Sequence, residues 1–297
     1  MAKISHQELL DAGVHFGHLR RKWNPKMLPY IFAEKKGIHI IDLNRTIEKM
    51  DEAAAAMKQM AKAGKKILFV ATKKQAKEVV KEAAKRVNMP YVTERWLGGM
   101  LTNFSTIRKS VKKMQSIEKM LSDGTLESVT KKEKLVLSRE KEKMERVLGG
   151  ISAMNRVPSA VFLVDITHEH IALKEAQRLN INTFGIVDTN SDPTKIDFAI
   201  PGNDDASKSI HILTNFIADA IAEGLAERAS DNKDQEDNQE DDQDSPNYDK
   251  IMAGGEEGAD GKKGGGAGRG RKGPGAGGGS GRSRIGGGGP GRGGVKK

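Results

Sequence analysis

The chain has 297 residues, 50 Lys and Arg against 40 Asp and Glu, and no cysteine, so it carries neither a disulfide framework nor a thiolate metal site and suits a reducing cytosol. No window nears the roughly 20 apolar residues of a membrane helix, and the stretch from Met1 to Gly13 lacks a signal peptide's apolar core, which excludes membrane integration and makes the cytoplasm the expected location. The net charge of +10 is uneven: residues 231–260 hold 12 acids and 2 bases, residues 261–297 hold 10 bases and no acid, and the body to Ser230 carries the whole excess, which favours a polyanionic partner by long-range attraction.

Ser5 and Glu8 form a capping box that opens a first helix ending at Gly13. The polar segment from Val14 to Pro29 reads as an ordered loop. Tyr30 to Phe32 and Ile38 to Ile41 read as two short strands joined through Lys35-Lys36-Gly37. A helix is expected from Thr46 to Ala63, stopped by Gly64. Ile67 to Ala71 is a short continuous apolar run, the pattern of a strand buried on both faces. Thr72 and Gln75 are expected to cap the next helix, through Arg86. Further strands are expected at Tyr91-Val92, Val161 to Val164, Thr183 to Val187 and Phe198 to Ile200, with helices to Leu179 and from Ala206 to about Leu225. This alternation implies an α/β fold, a mostly parallel sheet flanked by helices.

Phe104 to Leu148 breaks the alternation. Ile107, Val111, Met114, Ile117 and Leu121 recur at helical spacing, Asp123-Gly124 marks a turn, and Val129, Leu135, Val136, Met144, Val147 and Leu148 make a second apolar stripe. Two antiparallel helices with Lys- and Arg-rich outer faces are expected, inserted into the sheet domain as an arm. The expected organisation is one α/β domain from 1–103 and 149–229, a helical hairpin at 104–148, and a tail at 230–297. Residues 231–250 are too acidic and too poor in apolar side chains to fold alone, and 22 of the 34 glycines lie from Gly254 onward, so the tail is expected to be disordered.

An α/β sheet invites an enzyme reading on an acidic or nucleotide substrate. The residues after the first strand, Thr72-Lys73-Lys74-Gln75, contain no glycine to close a backbone on phosphate. Gly98-Gly99 lacks the rest of any phosphate loop, and no nucleophile elbow exists. Lys73 and Lys74 suit a nucleic-acid backbone better than a nucleotide cradle. Asp165, Asp188, Asp192, Asp204 and Asp205 cluster after the strands, where carboxylates ordinarily cap helices and build Asx turns. His15 and His18 are too few for a structural metal site, so no firm metal or cofactor is expected. A weaker candidate is a surface divalent site of His15 with Asp188 and Asp204.

The strings GVHFGH, WNPKM, PYIF and GIHIIDL, then ERWLGGMLTNF, PSAVFLVD, IVDTNSDP and IPGNDDA, resemble in one order the bacterial small-subunit ribosomal protein two family, from about Ser5 to Leu225. The resemblance implies a Rossmann-like or flavodoxin-like sheet with a protruding coiled-coil hairpin. It further implies a structural role in the small ribosomal subunit, and as partners small-subunit ribosomal RNA and neighbouring proteins, including the large protein one. It implies no membrane and no small-molecule substrate. Ile166-Thr167-His168 departs from the family's more basic entry at that helix, and the tail after Ser230 has no counterpart. On this reading Trp23 among Arg20, Arg21, Lys22 and Lys26, and Trp96 beside Arg95, pair an amphipathic ring with phosphate-binding cations. Asn24 and Asn103 are expected on 2′-hydroxyls, and Lys73, Lys74, Arg108, Lys109, Lys112 and Lys113 on phosphates. A free RNA chaperone acting through the glycine–arginine tail is a third reading.

Overall fold

The structure is a computed structural model and describes residues 4–123 and 130–243, with side chains through Asp231 in the last helix. Helix α1 (His6–Asp11) carries both arms of the capping box: Ser5 Oγ accepts from the Glu8 amide at 3.3 Å, and the Glu8 carboxylate accepts from the Ser5 amide at 2.8 Å. Three antiparallel strands follow, β1 (Phe16–Leu19), β2 (Ile31–Lys35) and β3 (Ile38–Ile41), in the order β1-β3-β2. Lys36 and Gly37 join β2 to β3 with φ of 54° and 77°. Positive φ at both central residues is the two-residue hairpin turn whose twist matches its strands. The segment expected as a loop from Val14 to Pro29 therefore holds a strand and two 3-10 turns, Arg20–Lys22 and Pro25–Tyr30. Its strand forms by pairing with β3, a partner some twenty residues away that local composition does not announce.

Helix α2 (Leu43–Lys62) is capped by Asp42 and starts three residues before the expected Thr46. The parallel sheet then builds from β4 (Ile67–Val70), β5 (Tyr91–Val92), β6 (Ala160–Val164), β7 (Asn182–Val187) and β8 (Phe198–Pro201), ordered β5-β4-β6-β7-β8. Helices α3 (Lys77–Arg86), α6 (His170–Arg178) and α7 (Ser207–Gln243) connect or follow them. The chain leaves β4 toward β5 on one side and later returns to β6 on the other. That reversal opens a crevice at the carboxyl ends of the strands. Both faces of the sheet are covered, which is why ILFV and AVFLV are apolar at every position. Phe69, Phe162 and Phe184 pack on one face with α2, α3 and α7. Leu68, Val70, Val161 and Leu163 pack on the other with α6.

Two local expectations are corrected. Thr72 and Gln75 do not cap α3, which starts at Lys77 without a side-chain cap; the Thr72 amide instead donates to Glu169 at 2.7 Å. The last helix does not end near Leu225 but runs to Gln243. No glycine or proline interrupts the chain between Leu225 and Ser245, and Lys58 and Lys62 of α2 pair with Glu227 and Asp231 along its course. The rest of the expected tail, from Asp244, lies outside the described residues.

Helices α4 (Phe104–Ser122) and α5 (Lys131–Leu148) lie side by side, tied by Lys113–Glu140 and Lys141–Glu118 pairs. The expected turn residue Gly124 and the stripe residue Val129 lie outside the described residues. Ile107, Val111, Met114 and Ile117 are buried, as is Leu148, but Leu135 and Val136 are about half exposed, at 51% and 56%. Ile107, Val111 and Leu148 share one core with Trp96, Leu101 and Leu163. The base of the arm is thus part of the sheet's packing, while its far half is buried on fewer sides. Ile107→Ala is therefore expected to lower stability by about 2–5 kcal/mol through lost burial and a cavity. Leu135→Ala is expected to change it by no more than about 0.5 kcal/mol. Urea denaturation of the two variants checks this, and equal losses would show the arm packed uniformly along its length.

Candidate functional site

The carboxyl ends of β4, β6, β7 and β8 converge on one charged cluster. Lys73, just past β4, points its ammonium at three carboxylates: Asp205 at 2.6 Å, Asp204 at 2.7 Å and Asp165 at 3.2 Å. Asp165 follows β6 in the left-handed region, φ 65°, which Asp tolerates because its short side chain bonds the local backbone. Its Oδ1 accepts from the Thr167 and His168 amides, both at 3.0 Å. Asp188 follows β7, and Asp204 and Asp205 follow β8. His18 reaches in from β1, with Nδ1 3.0 Å from Asp188 Oδ2 and Nε2 3.5 Å from Asp205 Oδ2. Gly17 makes this approach possible: a Cβ there would stand 2.6 Å from Thr189 Cγ2, and the His18 amide donates to Thr189 Oγ1 at 2.8 Å.

Asp165, Asp188 and Asp204 are buried here, while Asp205 stands exposed at the rim. Asp204 is fully buried and Asp188 nearly so, and Oδ2 of each lacks a well-aligned hydrogen bond. Burial, with the charges of Asp188 and Asp165, pushes the Asp204 carboxyl up to about 7 despite Lys73. Contact with the Asp188 carboxylate, reinforced by Asp204 and Asp205, raises His18. Burial disfavours the Lys73 ammonium, but the surrounding carboxylates outweigh it and raise its pKa. Burial likewise opposes ionisation of Asp205, and Lys73 outweighs it and lowers the value. His18, Asp188 and Asp204 each bring a ligand atom within 4.8 Å of the others. One imidazole nitrogen and two carboxylate oxygens are a donor set for a divalent cation such as zinc or manganese. The histidine brought to Asp188 and Asp204 is thus His18, while the His15 ring lies tilted against Phe16, centroids 4.0 Å apart, with burial lowering its pKa.

A second carboxylate organises the neighbouring loop. Glu175 of α6 is buried, and its oxygens accept from Trp96 Nε1 at 3.0 Å and from the amides of Gly99, Leu101 and Thr102 at 2.8, 2.9 and 3.1 Å. Burial opposes its charge, but these donors, with Thr102 first, hold the carboxyl below its ordinary range. Nothing in the sequence marks Glu175, one acidic residue on an amphipathic helix.

The expected RNA-contacting residues divide by environment. Trp96 is 7% exposed and Lys73 is enclosed by carboxylates, so neither is presented to solvent as the sequence reading had it; each answers a buried charge instead. Arg108 donates to the Asn155 carbonyl at 2.6 Å, Lys26 pairs with Asp192, Lys113 with Glu140, and Arg20 with Glu34. Asn103 Oδ1 accepts from Thr106 Oγ1, and Asn24 Oδ1 from the Lys26 amide. Trp23 is half-buried beside His39, with ring centroids 5.1 Å apart. Arg21, Lys22, Lys74, Arg95, Lys109 and Lys112 are exposed. Lys74 and Arg95 stand at the carboxyl ends of β4 and β5, and Arg21 and Lys22 follow β1. No helix among the described residues is long and apolar enough to cross a membrane.

The chain is similar to known proteins over most of its folded length. The model of the family described as Ribosomal protein S2 matches residues 9–224. Small ribosomal subunit protein uS2 of Cytophaga hutchinsonii is 66% identical over 215 residues, which cover 72% of this chain and 85% of that relative. The proteins of the same description from Bacteroides thetaiotaomicron and Parabacteroides distasonis are 61% and 59% identical, over 72% and 74% of this chain and 77% and 79% of theirs.

The Glu175 geometry gives a pH-dependent expectation. A carboxyl depressed in the folded state stabilises the fold above its unfolded pKa, and that contribution is lost as pH falls through the folded value. Glu175→Gln, which turns an amide NH2 toward backbone N–H donors, is expected to cost about 1–3 kcal/mol at pH 7. The gap to the wild type should close as pH falls below about 4.3. Denaturant midpoints at a series of pH values test this, and a gap constant with pH would refute the ionised carboxylate.

Proposed function

The chain belongs to the Ribosomal protein S2 family, and from that premise we propose that it works in the cytoplasm by holding small-subunit ribosomal RNA on the carboxyl edge of its sheet. It is a structural constituent of the small ribosomal subunit and not an enzyme. The observation that carries the RNA reading is the set of exposed cations, Arg21, Lys22, Lys74 and Arg95, placed where the strands end, with Lys109 and Lys112 extending it along α4. Their positions are fixed by a rigid sheet, so they meet phosphates at small conformational cost. Arg20 and the half-buried Trp23 lie in the same segment. The sheet domain is one body, and the arm formed by α4 and α5 is a further contact surface for RNA or for neighbouring small-subunit proteins, protein one among them.

A divalent cation belongs to the same reading. His18, Asp188 and Asp204 would hold it, replacing the proton between His18 and Asp188 and engaging the Asp204 oxygen that lacks a partner. It would pin β1, and with it Arg20 to Lys22, to the ends of β7 and β8. The buried Asp204 oxygen without a partner, in one cluster with His18 and Asp188, carries this part.

Two measurements test the function. The full chain is expected to co-sediment with small subunits, and its affinity for small-subunit RNA to fall steeply with salt. Replacing Arg20, Arg21 and Lys22 together by Ala should reduce the log–log slope by about 2–3, at roughly 0.7–0.9 per phosphate contact. An unchanged slope in a folded variant would make that segment a merely solvated surface. Separately, zinc or manganese at 100 times its dissociation constant should stabilise the wild type by about 2.7 kcal/mol, and Asp188→Asn should abolish the response. A wild type whose melting temperature ignores both ions has no such site.

A further inference from the structure

The amino ends of the parallel strands, opposite the acidic cluster, border a cleft of about 630 Å³. It lies where the chain enters β4 through Lys65 and Lys66, β5 through Asn88 to Pro90, and β6 through the loop from Ser152 to Ser159. Its size falls within the roughly 300–1,000 Å³ typical of sites that enclose a small organic group.

Charge is its first distinguishing feature. Lys65, Lys66, Lys85 and Arg156 line it, and no Asp or Glu does. None of the four is in an ion pair among the described residues, although nearby Lys58, Lys62, Lys77 and Arg86 all are. Lys66 donates to the Asn88 carbonyl at 3.1 Å. Cations gathered without counter-charge repel one another, and an anion in the cleft relieves that repulsion.

Shape is the second. Tyr91 forms part of the wall, and Gly150 lets it do so, because a Cβ at Gly150 would collide with the Tyr91 carbonyl and ring. Arg108 of α4 holds the opposite rim through the Asn155 carbonyl at 2.6 Å. The cleft therefore combines an aromatic wall, a fixed rim and unneutralised cations.

The kind of anion follows from the helices that reach it. Helices α3 and α5 both arrive by their carboxyl ends, with Lys85 and Gly149 on the lining. Helix carboxyl ends carry partial negative charge and offer carbonyl oxygens. They disfavour the dianion of a terminal phosphate and accept hydrogen bonds from ribose hydroxyls. A duplex presents a convex row of phosphates that does not enter a concavity of this size, whereas an unpaired nucleotide does.

We propose that this cleft takes one unpaired nucleotide of a single RNA strand, its base against Tyr91 and its flanking phosphodiesters on Lys65, Lys85 and Arg156. The proposal rests on the RNA-binding reading given above and adds a second contact on the opposite end of the sheet. The test uses the full chain and three probes: fluorescent decauridine, a short RNA duplex and free uridine monophosphate. Replacing Lys65, Lys85 and Arg156 together by Ala is expected to weaken decauridine binding at least about tenfold and to lower its salt slope by about 2, at roughly 0.7 per contact. Duplex affinity should stay within about twofold, and 4-thiouridine in the decamer should crosslink to Tyr91. All three replaced side chains are exposed, and circular dichroism verifies the fold of the variant. Unchanged decauridine affinity overturns the cleft assignment alone. A wild type that binds neither RNA overturns this proposal together with the RNA reading beneath it. Uridine monophosphate that raises the melting temperature as much as decauridine at equal concentration makes the cleft a free-nucleotide site and overturns the strand assignment.

Discussion

One ammonium group governs the upper edge of this fold. Lys73 gathers Asp165, Asp204 and Asp205 from the ends of β6 and β8 onto the end of β4, so three strands are fixed relative to one another by a single charge. A carboxylate buried alone carries a desolvation cost of several kcal/mol, and carboxylates brought this close raise each other's pKa. Without Lys73 the ends of β4, β6 and β8 would have to separate or protonate. The position of Asp188 and the reach of β1 through His18 follow from the same arrangement. The exposed cations are placed where they are because this edge is held still.

Glu175 solves the equivalent problem by different means. Its charge meets no cation; it is dispersed over an indole N–H, three backbone amides and a hydroxyl. That choice turns an irregular segment, Trp96 to Thr102, into a defined loop, since each donor fixes one peptide plane. Trp96 is thereby drawn into the core, and Arg95 is left outside beside it. The acidic cluster sets the ends of the strands, and Glu175 of α6 sets the entry to the arm.

Much of this architecture was legible where local chemistry decides local structure. The unbroken runs ILFV and AVFLV can be satisfied only between two covering layers, and Ser5 with Glu8 leaves little choice at the first helix. The hairpin at Lys36-Gly37 is written in its turn residues. Long-range partners were not legible. Thr72 has the look of a cap, but a carboxylate 97 positions away claims its amide. The two histidines of HFGH share a side if the segment is a helical turn and not if it is a strand. Local composition marks β1 as loop and so points to His15, where the fold presents His18. Trp96 carries no sign that its N–H is owed to Glu175, and Lys65, Lys85 and Arg156 are unremarkable until three strands begin side by side.

The sheet order also dictates a history for the chain. β4 and β6 are hydrogen-bonded neighbours in register from Ile67 with Ala160, yet the whole of α3, β5, α4 and α5 lies between them. Pairings across so long a stretch form slowly, because the intervening chain must lose its freedom before any contact rewards it. Helices α4 and α5 need only their own local contacts, and once joined they bring Gly149 and Gly150 back beside Tyr91. A long flexible loop becomes a short effective one. Contacts between α4 and α5 shorten the effective loop that must close before the centre of the sheet pairs.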